Sequence, residues 1–225
     1  MRDYIDYGYE SGQVLQFLYD LQREYGEDKV IALRGNHEEM FLEWLDTFHE
    51  GYTGTPDETG FVPWSGWLDN DPDYQTFRTF VTAAQFHAFE RIAPNLSDTS
   101  QNIEAARMVR ATSGDLIRWL RALPYYYETE HQIYVHAGLD EEAGEDWSWG
   151  TPEYIFVGKF PPTTGRFYKD IIAGHVGTLR LAQQPDYHGV WHDGASHWYI
   201  DGTVTEGGRI PVLAYDEKIG RYTEL

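Results

Sequence analysis

Apolar side chains recur along residues 12–25 at Val14, Leu15, Phe17, Leu18, Leu21 and Tyr25. This spacing puts them on one face of a helix, with Ser11 as its N-cap and Gly26 as its stop. The pattern then changes. Val30-Ile31-Ala32-Leu33 is a continuous apolar run, which predicts a buried strand over 29–33. A second helix is expected over Glu39 to Phe48, with Met40, Phe41, Trp44 and Leu45 on its apolar face. Helix, short turn and strand in that order indicate an α/β layer. Between 50 and 75 the chain is dominated by Gly, Pro, Asp and Trp and reads as a long aromatic loop. Loops of that length in a compact domain tend to be lids or binding surfaces, so Trp64 and Trp67 read as core anchors or as part of a groove. Helical spacing returns at 76–93 and 101–122, making 50–125 a mostly helical insertion. Further strands are expected over Gln132 to Val135, Ile171 to Ala173, His197 to Ile200 and Ile210 to Tyr215, with 141–168 as a loop of little regular structure. No repeat or long linker interrupts the chain, so residues 1–225 read as a single domain.

Composition sharpens this picture by exclusion. The hydrophobic fraction is 41% and the aromatic fraction 16%, enough for a large core in 225 residues. Asp and Glu number 37 against 17 Lys and Arg, a formal charge of -20. That balance argues against non-specific nucleic-acid binding and against an anionic membrane surface, because both carry phosphates that such a chain repels. The absence of Cys excludes disulfides, thiolate catalysis and Cys-based zinc sites. No apolar run reaches the length of a membrane span and the first residues hold no signal-peptide core, so a cytoplasmic location is expected.

Four short strings carry candidate chemistry: Asp3-Tyr4-Ile5-Asp6-Tyr7-Gly8, Gly35-Asn36-His37-Glu38, His136-Ala137-Gly138 and Gly174-His175. Each is expected just after a strand. Strand ends in an α/β fold gather at one edge of the sheet, so Asp3, Asn36, His136 and His175 are expected to converge. Two imidazoles, a carboxylate and an amide form a nitrogen and oxygen donor set that suits Mn, Fe, Zn or Ni better than calcium. His37 and Asp6 remain, and a histidine oriented by a carboxylate is the usual form of a general acid. His188, His192 and His197 read as structural or solvent-facing, and the acidic run from Asp140 to Asp146 as a solvated loop.

In their order these strings resemble the calcineurin-like metallophosphoesterases. Within them they resemble the phosphoprotein phosphatase (serine/threonine protein phosphatase) group with its bacterial and phage relatives. The stretch Tyr199-Ile200-Asp201-Gly202 with Gly207-Gly208-Arg209 fits as well, and 50–125 matches least. The resemblance implies the metallo-dependent phosphatase fold, an α/β (α+β) architecture of two packed mixed β-sheets flanked by helices in four layers. It implies a two-metal centre in which Asp3 bridges and Asn36, His136 and His175 complete the second site. His37 would protonate the leaving group, Asp6 would hold its ring, and Arg34 would bind phosphate oxygens. The implied reaction is hydrolysis of phosphate monoesters, of phosphoserine or phosphothreonine proteins first. Diadenosine tetraphosphatase-like or other small-molecule hydrolysis is the alternative, and a non-catalytic metal-binding module a third. The pattern departs from the family in three places. The Gly-Asp-x-His-Gly motif, which supplies first-site ligands, does not precede Asp3. Arg2 stands where the family has Gly, and Tyr7 where it has Arg. On that pattern the chain is expected to be truncated at its N-terminus, or else a one-metal relative that holds one ion well and a second weakly.

Overall fold

The computed structural model describes residues 3–52 and 66–225. Trp64 and the centre of the aromatic loop lie outside the described residues. The protein is mixed α/β, with helices and two sheets. It divides into two compact units, one of residues 3–32 and 37–123 and the other of Leu33–Asn36 and Pro124–Leu225.

The first unit is helical. Helix α1 (Ser11–Tyr25) forms where the apolar spacing places it and stops at Gly26, whose φ of 96° is open to glycine. Ser11 is not the N-cap, however. Glu10 precedes the helix, and the Ser11 hydroxyl instead accepts the Asp6 amide at 3.2 Å. Helix α2 (Asn36–Thr47) begins three residues earlier than the apolar pattern indicates, because its first turn carries site residues rather than core ones. The expected strand at 29–33 is absent. Ala32 and Leu33 are buried, but the Val30 N–H bonds to Gly26 O at 3.0 Å and the Val30 carbonyl accepts the Gln22 side chain at 2.8 Å. The apolar run reported burial, and local bonds took the groups that a ladder needs.

Helices α3 (Ala83–Ile92), α4 (Asp98–Thr112) and α5 (Gly114–Ala122) form within or near the expected 76–93 and 101–122, α3 after a 3-10 turn at Phe77–Phe80 and α4 three residues earlier than expected. Helix α3 starts on a Thr82/Gln85 capping box and α4 on the Ser97 hydroxyl. The core is aromatic. Phe41 stacks on Phe80 at 4.7 Å between ring centres, and Trp44 meets Trp67 at the same distance. Each buried indole N–H needs an acceptor. Trp44 donates to Asn102 Oδ1 at 2.7 Å, which ties α2 to α4. At Gly12 a Cβ would stand 2.5 Å from the Thr79 carbonyl, so glycine is required for α1 to pack there.

The second unit carries a five-stranded sheet of β1 (Tyr126–Glu128), β2 (Gln132–Val135), β3 (Asp170–Ala173), β4 (Trp191–His192) and β5 (His197–Tyr199), in the order β1-β2-β3-β5-β4. The central pairs β2–β3 and β3–β5 are parallel and the outer pairs antiparallel. A hairpin of β6 (Leu213–Asp216) and β7 (Arg221–Glu224) packs on the sheet through Tyr222, whose ring lies tilted against Trp198 at 4.4 Å between ring centres and whose hydroxyl bonds Asp170 at 2.7 Å. The segment 141–168 is more ordered than its composition suggests, with short helices α6 (Trp147–Gly150) and α7 (Glu153–Gly158) anchored by buried Trp147 and Phe156. Helix α8 (Thr178–Ala182) follows β3. Among the described residues no helix is long and apolar enough to cross a membrane.

His197 is a buried ionic strut of this unit. Its Nδ1 lies 3.0 Å from Gly165 O and 3.1 Å from Asp193 Oδ2, and its Nε2 lies 3.2 Å from Glu141 Oε2. Burial opposes its charge, but hydrogen bonds and charge from Glu141 and Asp193 outweigh that and hold its pKa above the usual 6.5. A raised native pKa adds stability that is complete below the unfolded value and disappears as pH rises through the native one. His197→Gln is therefore expected to lose more stability at pH 6 than at pH 9. Urea midpoints of the two proteins at both pH values check this, and a gap that widens with pH contradicts it.

Candidate active site

The parallel pair β2–β3 places its two histidines. His136 follows the last residue of β2 directly, His175 lies two residues beyond β3, and the Gly174 N–H bonds to His136 O at 2.8 Å. Parallel strands end at one edge, so residues 39 apart in sequence meet there. Asn36, at the end of the segment Leu33–Asn36, joins them. Asn36 Oδ1 lies 2.7 Å from His136 Nε2 and 3.2 Å from His175 Nδ1, and the two imidazole nitrogens lie 3.2 Å apart. His136 is fully buried and the other two are half-buried.

Hydrogen bonds alone cannot satisfy such a triangle. Asn36 Oδ1 only accepts, and each ring nitrogen either donates or accepts. If both nitrogens donate to the amide oxygen, two N–H groups face each other. If one of them accepts instead, one edge sets two lone pairs face to face. A cation removes the conflict, because all three atoms then present lone pairs to it. Adjacent ligands on an octahedral ion with bonds of about 2.1 Å are about 3.0 Å apart, which matches the edges observed. The donor set therefore fits a divalent transition metal.

The helical unit holds the remaining groups. His37 Nδ1 lies 2.7 Å from Asp6 Oδ2, and the same carboxylate oxygen accepts the Trp67 indole N–H at 3.3 Å. Burial disfavours the His37 cation, but the Asp6 hydrogen bond and the charges of Asp3, Asp6 and Glu38 prevail and raise its pKa above 6.5. With Nδ1–H given to Asp6, the transferable proton of the cation is on Nε2. Asp3 Oδ1 lies 3.4 Å from the His37 amide, at the start of α2. Glu38 is fully buried, and its carboxylate accepts the amides of Asp3, Tyr4 and Ile5 at 3.2, 2.7 and 3.3 Å. Arg34 turns to Tyr125, its Nη1 3.0 Å from the hydroxyl and its guanidinium 4.8 Å from the ring centre.

Of the expected site residues, then, Asn36, His136 and His175 form one cluster and Asp6 and His37 a second, with Asp3 at the His37 amide and Arg34 on Tyr125. Sequence reasoning assigned no role to Glu38, and it left Trp67 between core and groove. Trp67 is a core residue, 4% exposed, whose one polar atom reaches Asp6. Asp3, Asp6, Tyr7 and His175 all have positive φ, which non-glycine residues seldom adopt and which concentrates at functional sites. Compared with known proteins, the chain matches no family model, no curated protein and no solved structure.

Removing the Glu38 carboxylate deprives three amides of one acceptor group, and orphaned buried donors cost about 1–3 kcal/mol each. Glu38→Ala is expected to lose at least about 2 kcal/mol and Glu38→Gln less, with faster hydrogen exchange at the Tyr4 and Ile5 amides. Urea unfolding and exchange measurements check both, and unchanged protection at those amides contradicts the assignment.

Proposed function

We propose that this chain is a metal-dependent phosphomonoesterase with the metallo-dependent phosphatase fold, akin to the phosphoprotein phosphatase group that its motifs resemble. The observation that carries the reading is the triangle of Asn36, His136 and His175, whose donors suit Mn, Fe, Zn or Ni. In this reading Asp3 adds the carboxylate. Its Oδ1 lies 3.4 Å from the His37 amide. When bound, the metal supplies Lewis acidity toward phosphoryl oxygen and a water that ionises near neutral pH.

The chain's own groups do the rest. Asp6 fixes the His37 ring by Nδ1, Trp67 fixes Asp6, and His37 presents a proton on Nε2 to the leaving-group oxygen. Arg34, whose guanidinium lies against the Tyr125 ring, serves as a phosphate-oxygen donor, the role the resemblance gives it. The resemblance favours phosphoproteins as substrates over small phosphate esters.

Metal analysis together with kinetics tests this reading. With manganese added, the protein is expected to hydrolyse p-nitrophenyl phosphate and a phosphoserine peptide. His136→Ala is expected to lose both metal and turnover. His37→Ala is expected to keep its metal and to lose about 10²- to 10⁴-fold in kcat on the peptide. Its loss on p-nitrophenyl phosphate is expected to be smaller, because nitrophenolate leaves without a proton. Metal uptake with no turnover of either ester would reduce the protein to a binding module.

A further inference from the structure

Tyr7 stands against His37 with ring centres 5.2 Å apart and planes at 66°, within the range of favourable edge-to-face pairs. The residue is nonetheless 75% exposed, so one side of the ring is covered by the imidazole and most of the rest faces solvent. Its φ is 57°, a disfavoured region for a bulky side chain. Core burial does not hold it there. The turn does, through Gly8 N to Asp6 O at 2.7 Å and Asp6 N to the Ser11 hydroxyl at 3.2 Å. The same tight turn therefore points the Asp6 carboxylate at Nδ1 of His37 and sets the Tyr7 ring beside the imidazole.

That geometry assigns Tyr7 to one half of the substrate. Asp6 occupies Nδ1, so Nε2 is the nitrogen that faces a departing oxygen. The group attached to that oxygen must pass beside the imidazole, where the open ring of Tyr7 stands. Tyr7 carries no charge with which to grip phosphate, and what it offers is an aromatic face. We propose that Tyr7 selects the leaving group and that it favours an aryl phosphate, of the phosphotyrosine kind, over an alkyl phosphate such as phosphoserine. The inference rests on the phosphomonoesterase reading. In the reaction a water oxygen bonds to phosphorus as the bond from phosphorus to the aryl oxygen breaks. The electron pair stays on the aryl oxygen, which takes the Nε2 proton. The water releases a proton to solvent, and His37 regains one from it.

The test uses the full chain loaded with manganese and two peptides identical but for phosphotyrosine or phosphoserine. Tyr7→Leu keeps the bulk and removes the aromatic face, whereas Tyr7→Phe keeps the face and removes the hydroxyl. Tyr7→Leu is expected to lower kcat/KM about 3- to 10-fold more for the phosphotyrosine peptide than for the phosphoserine peptide, the range of one aromatic pair. Tyr7→Phe is expected to keep the wild-type ratio. Equal losses on both peptides would mean that Tyr7 only steadies His37, and would overturn this inference while leaving the phosphomonoesterase reading intact. Absence of turnover of both peptides and of p-nitrophenyl phosphate by the wild-type protein would overturn both.

Discussion

The first turn of α2 imposes the constraint on which the rest depends. Successive residues of a helix point about 100° apart, so three neighbours cannot serve the same partner. Asn36 reaches His136 and His175, His37 reaches Asp6, and Glu38 reaches the backbone of residues 3–5. One turn therefore supplies an amide for the histidine pair, an imidazole for Asp6 and a backbone clamp, in fixed order and through adjacent peptide bonds. Changing the register of this helix by one residue would misdirect all three.

The clamp matters because the loop it holds is strained. Asp3, Asp6 and Tyr7 adopt left-handed backbone conformations, at about 1–3 kcal/mol each for residues with a side chain. Such conformations persist only where surrounding bonds over-determine them. The Glu38 carboxylate holds three amides, the Ser11 hydroxyl a fourth, and Asp6 O accepts Gly8 N. Their combined strength is of the order of the strain, since a hydrogen bond to a charged group contributes about 1.5–3 kcal/mol. Ile5 also anchors the loop in the apolar core at 1% exposure with Tyr4 packed beside it, while Asp6 and Tyr7 stand against the His37 imidazole.

These relations explain what the sequence could disclose. Apolar runs marked β2, β3 and β5 because burial leaves a local signature, and apolar spacing marked α1 and α2, although in α1 Val14, Phe17 and Tyr25 lie at the surface. Strands β1 and β4 left none. Tyr126–Glu128 is mostly exposed, and Trp191–His192 is two residues long. The run at 30–33 misled for a physical reason: its burial was real, but Gly26 and Gln22 had already claimed Val30. At the site, residue types and their order disclosed His136, His175, Asn36, His37 and Asp6. The supports were hidden because they act over distance on generic partners. Glu38 bonds an amide 34 residues away and Trp67 a carboxylate 61 residues away, and neither residue type announces such a role. A glutamate early in a helix reads equally well as a partner of the helix dipole.

The donor triangle then links chemistry to stability. Its histidines sit at the ends of paired strands and are placed by the sheet, so the organisation needed to bind an ion is completed during folding. A preorganised site gains affinity because little has to be ordered at the moment of binding. The triangle carries one edge on which like groups face each other, and an ion that relieved this repulsion would gain affinity from it. An ion that binds the folded chain at about a hundred times its Kd adds about 2.7 kcal/mol to folding. An ion held by the triangle, as proposed, would make the sheet unit more stable than it is without one.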